Sequence, residues 1–358
     1  MQLSSSSPET VERDPVRVGV VGASGYSGLE LVRLLLGHPT FDLSYVAANT
    51  AAEQPLATLY PQLTGQTDLF LEKFDVEACC AACDAVFVAL PSGHAGQIVG
   101  ALHAKGMKVV DLSGDLRLPS HVYETWYGQS AVPAALQEMA VYGLTEWTRS
   151  SVADATVVAN PGCYATAALL ALLPAVQREL AVAGMPIAID AKSGVSGAGR
   201  TPTQGVHLAE LSGNFYPYKV GTHQHTPEIE QALAAYGVHP VLLTTQLLPI
   251  ARGIAVSAYV PLAARISEAK VREVYNDVYE NAEFVHVLAA GDYPQLKHVQ
   301  GSNHCHIGLR VDTRTGLLQV FSVLDNLQKG AAGQALQNMN VMFGRPETTG
   351  LRSIGLYP

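Results

Sequence analysis

The sequence predicts an α/β fold in two parts: a doubly wound parallel domain at the N-terminal end, followed by a mixed α+β domain. Three observations carry this. Over residues 15–160, short apolar runs alternate with helical segments. A glycine-rich turn joins the first of those runs to the first helix. Beyond residue 160 the chain becomes strand-rich and includes a hairpin.

The apolar run 16–21 reads as a buried strand, and Gly22-Ala23-Ser24-Gly25-Tyr26-Ser27-Gly28 follows as a turn. A helix is predicted over 29–36, ended by Gly37-His38-Pro39. Residues 43–48 complete a βαβ unit. Strands follow at 85–90 and 107–112, with a helix over 95–105 between them. A strand at 155–159 leads into an apolar helical run over 165–173. In the second half, 187–191, 241–247 and 254–260 read as strands. A helix over 226–236 takes Thr226 as its N-cap and Pro227 in its first turn. Ser267 caps a helix over 267–281, and 306–311 and 317–324 flank a predicted hairpin turn at 312–316. The segment 330–343 is again helical.

Composition limits what such a chain can do. Its 358 residues suit two domains, and 48% hydrophobic against 15% charged residues supplies ample core. A net charge of -9, with no basic run longer than a pair, excludes a nucleic-acid surface. No stretch approaches the ~20 apolar residues of a membrane span. Residues 1–14 are polar and serine-rich, without the apolar core of a signal peptide, and are expected to be a flexible tail. Five cysteines at irregular spacing predict reduced thiols and a cytoplasmic protein.

Gly22, Gly25 and Gly28 sit between a strand and a helix. Glycine lets the backbone approach a pyrophosphate there, and the helix N-terminus faces the anion. The loop is therefore expected to bind a dinucleotide in a Rossmann-type domain. The second strand ends Ala48-Asn49-Thr50, without the acidic residue that binds a ribose 2′-hydroxyl in NAD sites. That small polar end favours NADP(H), although no arginine stands there to hold a 2′-phosphate.

Asn160-Pro161-Gly162-Cys163-Tyr164 places one cysteine at a strand-to-helix junction. Unpaired N–H groups and the helix dipole favour a thiolate there and can hold an oxyanion. On these five residues alone, a nucleophile and a buried structural thiol fit equally well. Cys79, Cys80 and Cys83 have no second ligand pair nearby, and the side chains of His304-Cys305-His306 alternate faces on a strand. No metal site is expected.

Six ordered blocks bring a family into view. They are the glycine loop, Leu90-Pro91-Ser92-Gly93-His94-Ala95, Asp111-Leu112-Ser113-Gly114-Asp115-Leu116-Arg117, Asn160 to Tyr164, Ser193-Gly194-Val195-Ser196-Gly197-Ala198-Gly199-Arg200, and Gly221-Thr222-His223-Gln224-His225-Thr226-Pro227-Glu228. From about Val16 to its end the chain resembles the N-acetyl-γ-glutamyl-phosphate reductases of arginine biosynthesis. More distantly it resembles aspartate-semialdehyde dehydrogenases, which share the Asn-Pro-x-Cys motif.

The resemblance implies reduction of an acyl phosphate to an aldehyde by NADPH, with release of inorganic phosphate, through a thioester on Cys163. It implies His223 as acid/base, with His225 only a turn residue. Gly22, Ser24, Gly25, Tyr26, Ser27, Gly28, Asn49, Ser92, Ser196, Gly197 and Asn326 would bind cofactor. Arg117 and Asn160 would take the phosphate, and Arg200 the substrate α-carboxylate or a structural role. It also implies a cofactor domain of 15–160 plus 326–358, closed by a returning last helix, and a catalytic and oligomerisation domain of 161–325 in a homodimer or homotetramer. Two alternatives stay open: a reductase of carrier-linked aminoadipyl phosphate in lysine biosynthesis, and a non-catalytic NADP(H) sensor.

Overall fold

A computed structural model describes residues 15–49 and 51–357; the tail 1–14 and Thr50 at the second strand's end lie outside the described residues. The first sheet holds β1 (Val16–Val21), β2 (Phe41–Ala47), β3 (Ala85–Val88), β4 (Lys108–Asp111), β5 (Val141–Tyr142) and β6 (Val157–Ala159). Its order is β2-β1-β3-β4-β6-β5, and every pairing is parallel. Parallel strands need covered faces, and separate apolar cores lie on the two sides. One is built with Leu31, Val32, Leu336 and Met339; the other with Val86, Val99 and Leu102.

The first helix, α1 (Tyr26–Leu35), starts three residues earlier than its apolar stripe, because Tyr26-Ser27-Gly28 already coil inside the turn. Helix α2 (Ala95–Ala104) is held at its start by Asp115, whose carboxylate accepts the N–H groups of Gly93 (2.7 Å), Ala95 (3.2 Å) and Gly96 (2.9 Å). Cys79 and Cys83 are buried and Cys80 is half-buried, all on or beside the helix Val76–Ala82.

The second sheet is mixed: β7 (Ile187–Gly194), β8 (Tyr216–Tyr218), β9 (Val241–Leu248), β10 (Ile254–Pro261), β11 (Val285–Val287), β12 (Cys305–Asp312) and β13 (Leu317–Leu324), in the order β8-β9-β7-β10-β13-β12-β11. The expected hairpin is β12–β13, antiparallel and in continuous register from Cys305↔Leu324 to Asp312↔Leu317. Helix α3 (Cys163–Gln177) packs on one face of this sheet and is buried from Tyr164 to Val176. A helix apolar all round belongs inside a fold. Helix α4 (His225–Leu233) begins at His225, so Thr226 lies inside it and is not the cap; its N–H bonds back to the His223 carbonyl at 2.9 Å. Ser267 does cap α5 (Glu268–Val278), accepting from the Lys270 N–H.

The returning helix is present with a different start. Gln328–Ala332 forms a π turn, and α6 (Gly333–Met342) follows it into the first domain's core. Lys329, fully buried in that turn, pairs with Glu146 at 2.5 Å and Gln337 at 2.7 Å. Without a charged partner, a buried ammonium would be costly. His38, just past the end of α1, is buried: Asn340 of α6 lies 3.1 Å from its Nε2, and its Nδ1 accepts the Phe41 N–H. Among the described residues no helix is long and apolar enough to cross a membrane.

Candidate active site

One cavity of about 1050 Å³ lies between the glycine loop, the start of α3 and the π turn. That is the upper end of the ~300–1000 Å³ usual for small-molecule sites. Gly22, Ser24, Gly25, Tyr26 and Ser27 line it. Gly22 has φ +94°, and a Cβ there would fall 2.3 Å from the Ala89 carbonyl oxygen. Gly28 is not on the wall; a Cβ there would meet the Gly22 oxygen at 2.2 Å, so its task is close loop-to-helix packing. The loop thus has the bare backbone that a pyrophosphate cradle demands, and a dinucleotide fits it.

Asn49, Ser196, Gly197 and Asn326 also line the cavity. Asn326 donates to Ser196 Oγ (2.9 Å) and accepts the Gly253 N–H (2.7 Å), tying the second domain's loop to the last strand. Ser92 does not reach the wall: its Oγ accepts the Gly114 N–H at 2.9 Å, while the neighbouring Leu90, Pro91 and His94 do line it.

At the opposite end stand Asn160, Pro161, Gly162 and Cys163. Gly162 is the N-cap of α3 and Cys163 its first residue. Close packing brings the π turn against the thiol: a Cβ at Gly330 would come within 2.9 Å of Cys163 Cβ. Burial pushes the Cys163 thiol up to about 11. The Arg117 charge and the backbone groups of Tyr164 and Cys163 pull the other way. The helix terminus therefore moderates, but does not overcome, desolvation in the ligand-free chain.

Arg117 is buried and held by carbonyls. Its Nε donates to Asn160 O (2.8 Å) and its Nη2 to Leu112 O (2.8 Å), while Nη1 faces Glu228 at 3.5 Å. Glu228 also accepts the Gly162 N–H and the Tyr142 hydroxyl, each at 2.7 Å. This carboxylate fixes both the arginine and the turn before the nucleophile. The sequence reading gave it no role, although a carboxylate in the first turn of the helix after the histidines was the available signal. Asn160 is committed in part: its Nδ2 donates to Ala331 O and its Oδ1 accepts from Asn338, each at 3.1 Å.

The two histidines are placed differently with respect to the cavity. His225 lines the cavity and packs directly on Gly162, where a Cβ would lie 2.1 Å from its Nε2. His223 is set behind it, its ring edge-on to Tyr164 (5.3 Å) and Tyr218 (5.8 Å), and its Nδ1 accepts the His225 N–H (3.1 Å). His225 is the first residue of α4, and its ring lies against the turn before α3. Burial holds both imidazoles below their ordinary pKa, His223 down to about 2. Arg200 lies at the glycine-loop end of the cavity, where its Nη1 donates to Ser24 O. Among the described residues no three His, Cys, Asp or Glu side chains are grouped to hold a metal ion.

Two family models match the chain. Residues 17–155 match the model described as "Semialdehyde dehydrogenase, NAD binding domain", and 163–326 match "Semialdehyde dehydrogenase, dimerisation domain". N-acetyl-gamma-glutamyl-phosphate reductases of Halalkalibacterium halodurans and Halothermothrix orenii are 49% and 46% identical, over 96% of this chain and all of theirs. Solved aspartate semialdehyde dehydrogenases share the fold at low identity. That of Vibrio cholerae (form II) has a TM-score of 0.72 at 17% identity, covering 92% of this chain and 99% of its own. That of Candida albicans, solved with NADP, has a TM-score of 0.67 at 18% identity, covering 92% and 99%. The chain is an enzyme of the N-acetyl-gamma-glutamyl-phosphate reductase family, built on the two semialdehyde dehydrogenase domains.

Proposed function

We propose that the protein reduces N-acetyl-γ-glutamyl phosphate to N-acetylglutamate 5-semialdehyde with NADPH, releasing inorganic phosphate, in arginine biosynthesis. The observation that carries this reading is a single cavity with the glycine loop at one end and Cys163, on a helix N-terminus, at the other. His225 takes the Cys163 proton, and the sulfur attacks the acyl carbon. The S–C bond forms, the C–O bond to phosphate breaks, and the substrate is left as a thioester. N–H groups at the start of α3 steady the oxyanion. Arg117 offers its charge and remaining N–H groups to the leaving phosphate, with the free Asn160 amide hydrogen beside it. The glycine loop, Asn49 and Asn326 would hold NADPH, which when bound supplies the hydride that turns thioester into aldehyde. Breaking the S–C bond then releases the aldehyde and a Cys163 thiolate, which recovers its proton from His225.

Phosphate is expected to be an obligatory reactant in the reverse direction, since it must attack the thioester. Steady-state rates with N-acetylglutamate semialdehyde, aspartate semialdehyde and carrier-linked aminoadipate semialdehyde test the substrate. The first is expected to be preferred clearly; a preference for either other would overturn the substrate while leaving the chemistry standing.

The second domain is proposed to pair two copies into a homodimer or a homotetramer. The sheet face away from α3 leaves Ala188, Thr244, Ser257, Tyr259 and Phe321 partly exposed, and Leu242 at the end of β9 is 63% exposed. On it Leu242, Ala188 and Tyr259 stand in register across β9, β7 and β10, beside Asp190, Lys192 and Gln246, and the family model matching 163–326 is described as a dimerisation domain. Sedimentation at micromolar concentration should give a dimer or larger; a monomer would contradict it.

A further inference from the structure

Arg200 is set apart from the reacting groups. A 3₁₀ turn, Val195–Ala198, and Gly199 at φ +87° carry the chain from β7 to the first domain. There Arg200 Nη1 donates to Ser24 O (3.0 Å) and Tyr60 Oη (3.1 Å), and the guanidinium lies over the Tyr60 ring, 5.2 Å from its centre. Tyr60 Oη itself donates to Ser24 O at 2.7 Å. One edge of the guanidinium is thus tied to the dinucleotide loop, and its Nε and Nη2 bond to none of the described residues.

The arginines on the cavity wall, among the described residues, are Arg117 and Arg200. Arg117 is anchored beside Cys163 by the Asn160 and Leu112 carbonyls, at the thiol end of the cavity. At the other end, Ala48 and Asn49 finish β2 with no charge. The segment after β2 returns to the wall at Ala51 and Leu59, next to Tyr60. A doubly charged phosphate here would have no cation from the first domain's strand end, and Arg200 is beside it.

We propose that Arg200, a residue of the second domain, holds the 2′-phosphate of the dinucleotide and sets the preference for NADP(H). The inference rests on the NADP(H) reading above. A planar guanidinium matches phosphate oxygens two at a time, and stacking on Tyr60 presents it already ordered. The α-carboxylate role implied by resemblance would require the same side chain to serve the thiol end.

The test is calorimetric binding of 2′,5′-ADP and of 5′-AMP, which lacks the 2′-phosphate, to the intact enzyme and to Arg200→Ala and Arg200→Lys. The KM for N-acetylglutamate semialdehyde is measured in parallel. Arg200→Ala should weaken 2′,5′-ADP about tenfold to a hundredfold, the range for charge-assisted hydrogen bonds. It should leave 5′-AMP binding, which also reports folding, and the semialdehyde KM nearly unchanged. Arg200→Lys should recover part of the loss. A variant that keeps its preference for 2′,5′-ADP overturns the inference, most pointedly if the semialdehyde KM rises instead. An unmodified enzyme that binds both nucleotides equally overturns the NADP(H) reading, and this inference with it.

Discussion

Cys163→Ala is expected to abolish turnover, a loss on the order of 10⁴ or more, as when other enzymes lose a covalent nucleophile. Dinucleotide binding should stay nearly intact, because the cradle is backbone from Gly22 to Ser27 at the far end of the cavity. Burial holds the Cys163 thiol near 11, so the resting form at neutral pH is the thiol. Deprotonation must accompany substrate arrival, with Arg117 and the first N–H groups of the helix receiving the charge. Mass spectrometry of acid-quenched enzyme should show an acyl adduct on the unmodified protein and none on the variant. Substantial activity in a clean Cys163→Ala preparation would sink the assignment.

The second large effect is His225→Asn, expected to cost about 10²–10⁴ in kcat/KM, the usual range for general acid–base catalysis. His223→Asn should cost much less. Burial keeps both rings neutral near pH 7 and weakens the basicity of each, so the pKa shifts do not choose between them. Position separates them: His225 is on the cavity wall against Gly162, and its Nδ1 is buried with no hydrogen-bond partner among the described residues, whereas His223 Nδ1 is occupied by a backbone N–H. A negatively charged substrate entering the cavity would raise the basicity of His225. A larger loss in His223→Asn would return the role to the first histidine.

The parts legible in the sequence were those set by local pattern. The glycine loop, the Cys163 junction and the β12–β13 hairpin each rest on contiguous residues whose spacing states their geometry. What escaped depends on packing between distant segments. Tyr142 and Glu228 meet across 86 residues, and Ser92 spends its hydroxyl on Gly114. Nothing near Tyr60 announces that it will carry Arg200, 140 positions away. The histidine pair shows the finest limit. Which ring reaches the cavity depends on how the turn before α4 packs against Gly162, and no pattern within Gly221 to Glu228 states that packing.

The returning helix α6 has a consequence for the order of assembly. The parallel sheet has all its strands by residue 159, yet one of its two apolar faces is completed by Ala335, Leu336 and Met339. The second domain's core runs only from Leu144 to Leu324. On a ribosome, which releases the chain from its N-terminus, the later domain has its full complement of core residues first. The cofactor domain, begun earliest, is sealed last, and the same segment that seals it sets Gly330 against Cys163. A nascent chain therefore cannot present a finished nucleophile before its dinucleotide domain is ready to close.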